Sequence, residues 1–232
     1  MLKIDKFPKA PTIIVGFPGF GLVGTICTEF LLEHLKTEQI GKIWYDDLPA
    51  VVAVHKEKLI DPIGIFYNAS YNIVIVHAIT GAKGVEWKIA HDMAKIVEKM
   101  KAKEIIVLEG IGSQSEEGHD AFFFTNDHHR ERLVKAGLKP LENGIIIGLA
   151  GALLLDVEAP LTCIFAETHS ELPDSKAAAK ILEAVDRYLN LKVDTQPLIE
   201  LAAKFEDKLK GLMTQSQAAQ DQREKKLMSY VG

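Results

Sequence analysis

Short, unbroken runs of β-branched and other apolar residues recur along the chain, and they constrain the fold more than any other feature. They are Ile13-Ile14-Val15, Ile73 to Val76, Ile105 to Leu108, Ile145 to Ile147 and Leu161 to Phe165. Runs without polar alternation suit strands covered on both faces, as parallel strands of α/β proteins are. Stripes of helical period lie between them. Leu22, Ile26 and Phe30, with Leu31 or Leu35, mark one helix, and Ile89, Met93, Ile96, Val97 and Met100 mark a second. Ala178, Ile181, Leu182, Val185 and Leu189 mark a third, entered through Pro173-Asp174-Ser175, an N-cap signal. Ala50 to His55, Ile63 to Tyr67 and Tyr71 to His77 follow one another with only turn residues between, which predicts antiparallel additions. The expected fold is therefore a mixed-sheet α/β sandwich. The apolar run Ile145 to Leu155, interrupted by Gly148 and Gly151, reads as a buried strand and turn.

The texture changes after Asn190. Leu198, Leu201, Phe205, Leu209 and Leu212 are spaced by three and four residues, the narrow seam of a packed or oligomeric helix. A polar stretch follows, and the chain ends on Leu227-Met228-Ser229-Tyr230-Val231-Gly232. Two units are expected: an α/β core over residues 1–193 and a C-terminal amphipathic helix with its tail over 194–232.

Hydrophobic residues make up 47% of the 232 and charged residues 25%, the balance of a folded globular chain. A net charge of −5 leaves no overall cationic footprint for nucleic acid. Cys27 and Cys163 are too few for a disulfide framework and sit in apolar runs. The first residues lack the apolar core of a signal peptide, and no stretch approaches about 20 apolar residues. A cytoplasmic protein without a membrane span is expected.

Gly19-Phe20-Gly21-Leu22-Val23-Gly24 fits G-x-G-x-x-G after a strand and before a helix, with Asp46 and Asp47 after the next apolar segment. In a dinucleotide site such glycines admit a pyrophosphate to the helix N-terminus, and the acidic residue reads a ribose. The same glycines also serve a tight strand-to-helix turn with close packing of helix on sheet. Pro18 and the antiparallel segments after Asp47 favour the turn, and a nucleotide- or dinucleotide-binding enzyme using Gly19 to Gly24 is the alternative. No Lys precedes Thr25, so a Walker loop is the poorer match.

The group His119, Asp120, Asp127, His128 and His129 suggests a metal, but adjacent histidines diverge on a strand or a helix. A solvated loop and helix start, with Asn126 or Asp127 as N-cap, is the better reading. Glu109 to Ser115 follows a buried strand, and with no nucleophile elbow it reads as a flexible turn. Glu167, Thr168, His169 and Glu171, with Glu86, are the first candidates for any pocket, Glu167 or His169 serving as general base in a minor hydrolase or phosphorylase reading.

Gly16-Phe17-Pro18-Gly19-Phe20-Gly21-Leu22-Val23-Gly24 resembles the signature of the proteasome-assembly-chaperone family in its archaeal branch. Thr80 to Glu86, Gly148 to Leu154, Ala166 to His169 leading to Leu172-Pro173-Asp174, and Leu189 to Asp194 are similar to the same family, in order from about residue 10 to 213. The resemblance implies a core related to the phosphorylase/peptidyl-hydrolase-like fold. It also implies a homo-oligomeric, chaperone-like scaffold without a catalytic site, cofactor or metal, whose partners are proteasome subunits or other proteins. Some archaeal members end on a hydrophobic–Tyr–any-residue tail that docks between proteasome α subunits. Here Tyr230 is third from the end and follows Ser229, one residue displaced from that pattern. The corresponding contact residues are Leu227, Met228, Tyr230, Val231 and Gly232.

Overall fold

The computed structural model describes residues 1–55, 57–112, 120–127, 129–168 and 172–197, together with 200 and 211. The seam Leu198, Leu201, Phe205, Leu209 and Leu212 and the terminal residues 227–232 lie outside the described residues, as do His119, His128, His169 and Glu171.

Among the described residues, nine strands form one mixed sheet in the order β1-β3-β6-β7-β2-β8-β11-β9-β10. They are β1 (Leu2–Ile4), β2 (Thr12–Gly16), β3 (Glu38–Ile43), β6 (Ile63–Asn68), β7 (Ile73–Ala78), β8 (Glu104–Gly112), β9 (Ala121–Thr125), β10 (Lys139–Pro140) and β11 (Leu161–Thr168). The centre, β7-β2-β8-β11, is parallel, whereas β6 joins β7 antiparallel and β9 joins β11 antiparallel. Two short strands, β4 (Ala53–His55) and β5 (Lys58–Ile60), form a separate hairpin. The segments predicted as additions do pair antiparallel, but only Ala53–His55 of the first is strand, and it stands outside the main sheet.

The apolar runs are continuous because helices cover both faces. Ile14, Ile106 and Ile164 point to one layer, with α1 (Val23–His34) and α5 (Ser175–Leu189). Ile13, Val15, Ile105, Val107 and Cys163 point to the other, with α2 (Glu86–Met100) and α4 (Gly148–Asp156). The predicted cap of α5 is present: the Asp174 carboxylate accepts from the Ala177 N–H at 2.9 Å, and Asn190 closes the helix in the left-handed region at φ 55°.

Three expectations are corrected. Among the described residues Ile145 to Ile147 pair with no strand, and the run continues as α4, not as a buried strand and turn. A short apolar run does not separate strand from buried helix by period alone, and here the helix holds Leu149 and Leu153 in the core. Glu109 to Gly112 extend β8, so the turn expected there does not begin before Ser113, where the described residues stop. The N-cap position of the short α3 (Arg130–Lys135) is His129, not Asn126 or Asp127. The Asn126 side chain instead accepts from the Leu161 N–H at 2.8 Å and donates to the Ala159 carbonyl at 3.3 Å, fastening the start of β11.

Candidate interaction surface at the carboxyl ends of the strands

The glycine loop joins β2 to α1 through a 3-10 turn at Phe20–Leu22. A Cβ on Gly16 would lie 2.1 Å from the Gly24 carbonyl oxygen, one on Gly24 2.2 Å from that of Leu108, and one on Gly110 2.1 Å from that of Phe20. The glycines therefore bring β2, α1 and β8 into backbone contact, and the protein's own chain takes up that close approach. Gly21 takes φ 60°, a left-handed conformation that favours glycine. Its carbonyl accepts from the Asp174 N–H at 2.8 Å, and the Thr168 hydroxyl lies against it. Thr168 at the end of β11 and Asp174 at the start of α5 thus clamp the loop. Asp46 and Asp47 follow β3, which β6 and β7 separate from β2, and Asp47 pairs with Lys88. The carboxylate expected of a dinucleotide site stands with two whole strands between it and the glycines.

Behind the loop lies a buried polar row that sequence reasoning missed. The Thr28 hydroxyl is 2.9 Å from His77 Nδ1, and His77 Nε2 is 3.1 Å from Glu29 Oε2. It resembles a hydroxyl–imidazole–carboxylate relay, but Thr28 is fully buried and its hydroxyl donates back to the Gly24 carbonyl at 3.0 Å. The row joins α1 to β7 and offers no path to a substrate. One polar residue, His77, inside an otherwise apolar strand was the available signal.

On the α4 side of the sheet the same end of the molecule is open. Phe20, Glu109 to Gly112, Leu141, Asn143 to Ile147 and Phe165 line a cavity of about 340 Å³. Ile145 and Ile147, expected to be buried, are 92% and 76% exposed on its rim. Glu109 sits opposite Phe165 in the sheet register, and its carboxylate accepts from the Ala150 N–H in the first turn of α4. Burial pushes its pKa up to about 7, and the Ala150 amide restrains the rise.

The other candidates do not gather there. Thr168 is buried beneath Gly21, and Glu167 accepts from the Asp120 N–H at 3.2 Å. Glu86 accepts from the Gly84 N–H at 2.8 Å beside the start of α2. His129 turns inward at the opposite end of the sheet, with Nδ1 3.3 Å from Glu104 and 3.4 Å from Asp127. Tyr188 donates to the same Glu104 carboxylate at 2.8 Å, so His129 and Asp127 help to lock α3 and α5 onto β8, while the half-exposed Asp120 pairs with Lys139. Among the described residues no group of His, Cys, Asp and Glu is arranged to hold a metal. Cys27 and Cys163 are free, buried in different layers, and burial raises both thiols. No helix among the described residues is long and apolar enough to cross a membrane.

A model of the PAC2 family matches residues 13–213. Pyrococcus furiosus PbaA, an archaeal homolog of proteasome-assembly chaperone, is similar in structure with a TM-score of 0.83 and 26% identity, over 95% of this chain and 99% of that one. Pyrococcus furiosus PbaB, an archaeal proteasome activator, shares the fold with a TM-score of 0.74 at 22% identity, over 92% of this chain and 98% of that one. An uncharacterized protein of Methanocaldococcus jannaschii is 25% identical over 224 residues, which cover 95% of this chain and 93% of that protein.

Proposed function

The chain belongs to the PAC2 family, and on that premise we propose that it is a chaperone-like, homo-oligomeric scaffold that binds proteasome subunits or related protein partners and carries out no catalysis of its own. The observation that carries this reading is the exposure of Ile145 and Ile147 beside Phe20 at the carboxyl end of the sheet, where the family pattern and the glycine loop meet. An apolar rim next to a closed glycine loop suits protein docking better than phosphate binding.

A second apolar patch supports self-assembly. Val54 and Leu59 face each other across the β4–β5 hairpin and are 70% and 68% exposed. Side chains of this kind, carried on a hairpin outside the main sheet, favour burial against another copy. Leu227, Met228, Tyr230, Val231 and Gly232 are the further candidate contact with a proteasome subunit, and Leu198, Leu201, Phe205, Leu209 and Leu212 the candidate helix-packing seam.

Light scattering of the full chain at micromolar concentration, paired with capture of purified proteasome α subunits, tests the reading. An oligomer that retains the subunits is expected, with weaker retention after removal of residues 227–232. A monomer removes the assembly role, and undiminished capture by the truncated chain removes the tail from the contact.

A further inference from the structure

The crevice beside the glycine loop opens where the end of β8 meets β11 and residues 141–147. From β2 the chain passes through α1 toward β3 on one side of the sheet, and from β7 it crosses through α2 to β8 on the other. The two connections leave the carboxyl ends of the neighbouring strands β2 and β7 onto opposite faces, and in open α/β sheets ligands gather beyond the carboxyl ends of the strands. The cavity lies there, and its volume of about 340 Å³ falls within the range of about 300–1,000 Å³ for small-molecule sites.

Its walls are apolar: Phe20, Ile111, Leu141, Ile145 to Ile147 and Phe165, with Asn143 the neutral polar member. Among the described lining residues Glu109 is the one that titrates, and no Lys, Arg or His joins it. A carboxylate offers about four acceptor positions; the Ala150 N–H, which Glu109 caps at the head of α4, uses one. The cap explains why a carboxyl is tolerated there. It does not explain an acid held largely in an apolar cavity that opens to the surface, because an amide or hydroxyl side chain would cap α4 at a lower desolvation cost.

We infer that this crevice is a binding site for a small amine with an apolar body, its ammonium group held by the Glu109 carboxylate and its body packed among Phe20, Ile111, Ile147 and Phe165. A ligand carboxylate would meet Glu109 with like charge, and a neutral ligand would leave the acid unpaired. A cation repays the burial of Glu109, while the N-terminus of α4 steadies the anion from behind.

The site carries its own pH signature. The groups facing Glu109 are the Ala150 amide of α4, the Cys163 thiol of β11, Asn143 and Phe20. Burial and the charge of Glu109 raise the Cys163 thiol, which stays protonated. With Glu109 near 7, its ionised fraction rises from about one tenth at pH 6 to about nine tenths at pH 8, whereas an alkylamine stays protonated throughout. The amine therefore binds about tenfold more tightly at pH 8.

Calorimetric titration of the full chain with phenethylamine, 2-phenylethanol and 3-phenylpropionate at both pH values tests the site. Saturable binding of the amine is expected, about tenfold tighter at pH 8 and about tenfold weaker in Glu109→Gln, which keeps an oxygen for the Ala150 N–H. An amine that binds no better than the alcohol, or with equal affinity at pH 6 and 8, overturns the inference. The comparison of pH values uses the wild-type chain and stands even where the variant fails to fold. Loss of partner capture leaves this result untouched, so the site is tested independently of the scaffold role.

Discussion

Two segments meet at the carboxyl end of the sheet and use their residues in opposite ways. Residues 16–24 carry the conspicuous motif, yet their glycines are spent on backbone packing against α1 and β8. Residues 141–147 carry no motif, yet they expose Ile145 and Ile147 and line the cavity. The difference teaches that a glycine pattern reports close approach without saying what approaches. An apolar run reports burial without saying whether the chain's own core or a partner provides it.

The largest break in this comparison comes from Gly24→Ala. The new Cβ would press on the Leu108 carbonyl at 2.2 Å, where backbone has little room to yield, and a loss of about 3 kcal/mol or more is expected in denaturant unfolding. Glu109→Gln comes next and acts with the opposite sign. The carboxyl is raised from 4.5 to about 7 in the folded chain. Its contribution to stability is therefore full below the unfolded value and lost as pH rises through about 7. The variant should gain up to about 3 kcal/mol at pH 8 and show no such gain near pH 4, as read by thermal melts at both values.

Serine at both Ile145 and Ile147 sharpens the other side of the comparison. These side chains contribute little to the core, so stability should hold within about 1 kcal/mol while partner capture falls. The smallest effect belongs to Gly19→Ala. Nothing lies within 4 Å of that Cβ position, so a change of a few tenths of a kcal/mol is expected in the same unfolding experiment. A large loss at Gly19 would mean that the motif works as a unit, and the contrast with Gly24 would fail.

Much of the fold was legible where period and caps agreed. Ile89, Met93, Ile96 and Met100 all face the core from α2, and Asp174 caps α5 as its sequence context predicts. The parallel centre was legible because runs such as Ile105 to Leu108 are buried on both faces. The open surface was not. Ile145 to Ile147 has the composition of a strand, and nothing local states that no neighbouring strand pairs with it. The sequence marks Glu109 only as the end of an apolar run, whereas it continues β8, and its role depends on Ala150 and Phe165, more than 40 residues away in sequence. The Thr28–His77–Glu29 row escaped for the same reason, since its members are joined only by the packing of α1 on β7.

The central claim, that the open rim and not the glycine loop is the working surface of this PAC2-family chain, is most directly tested by side-by-side capture of purified proteasome α subunits. Three proteins of matched secondary structure suffice: the wild-type chain, the Ile145→Ser/Ile147→Ser variant and Gly19→Ala. The serine variant is expected to lose at least about nine tenths of the captured subunit, equivalent to about 1.4 kcal/mol of binding, while Gly19→Ala captures as the wild type does. Equal capture by the serine variant and the wild type would contradict it.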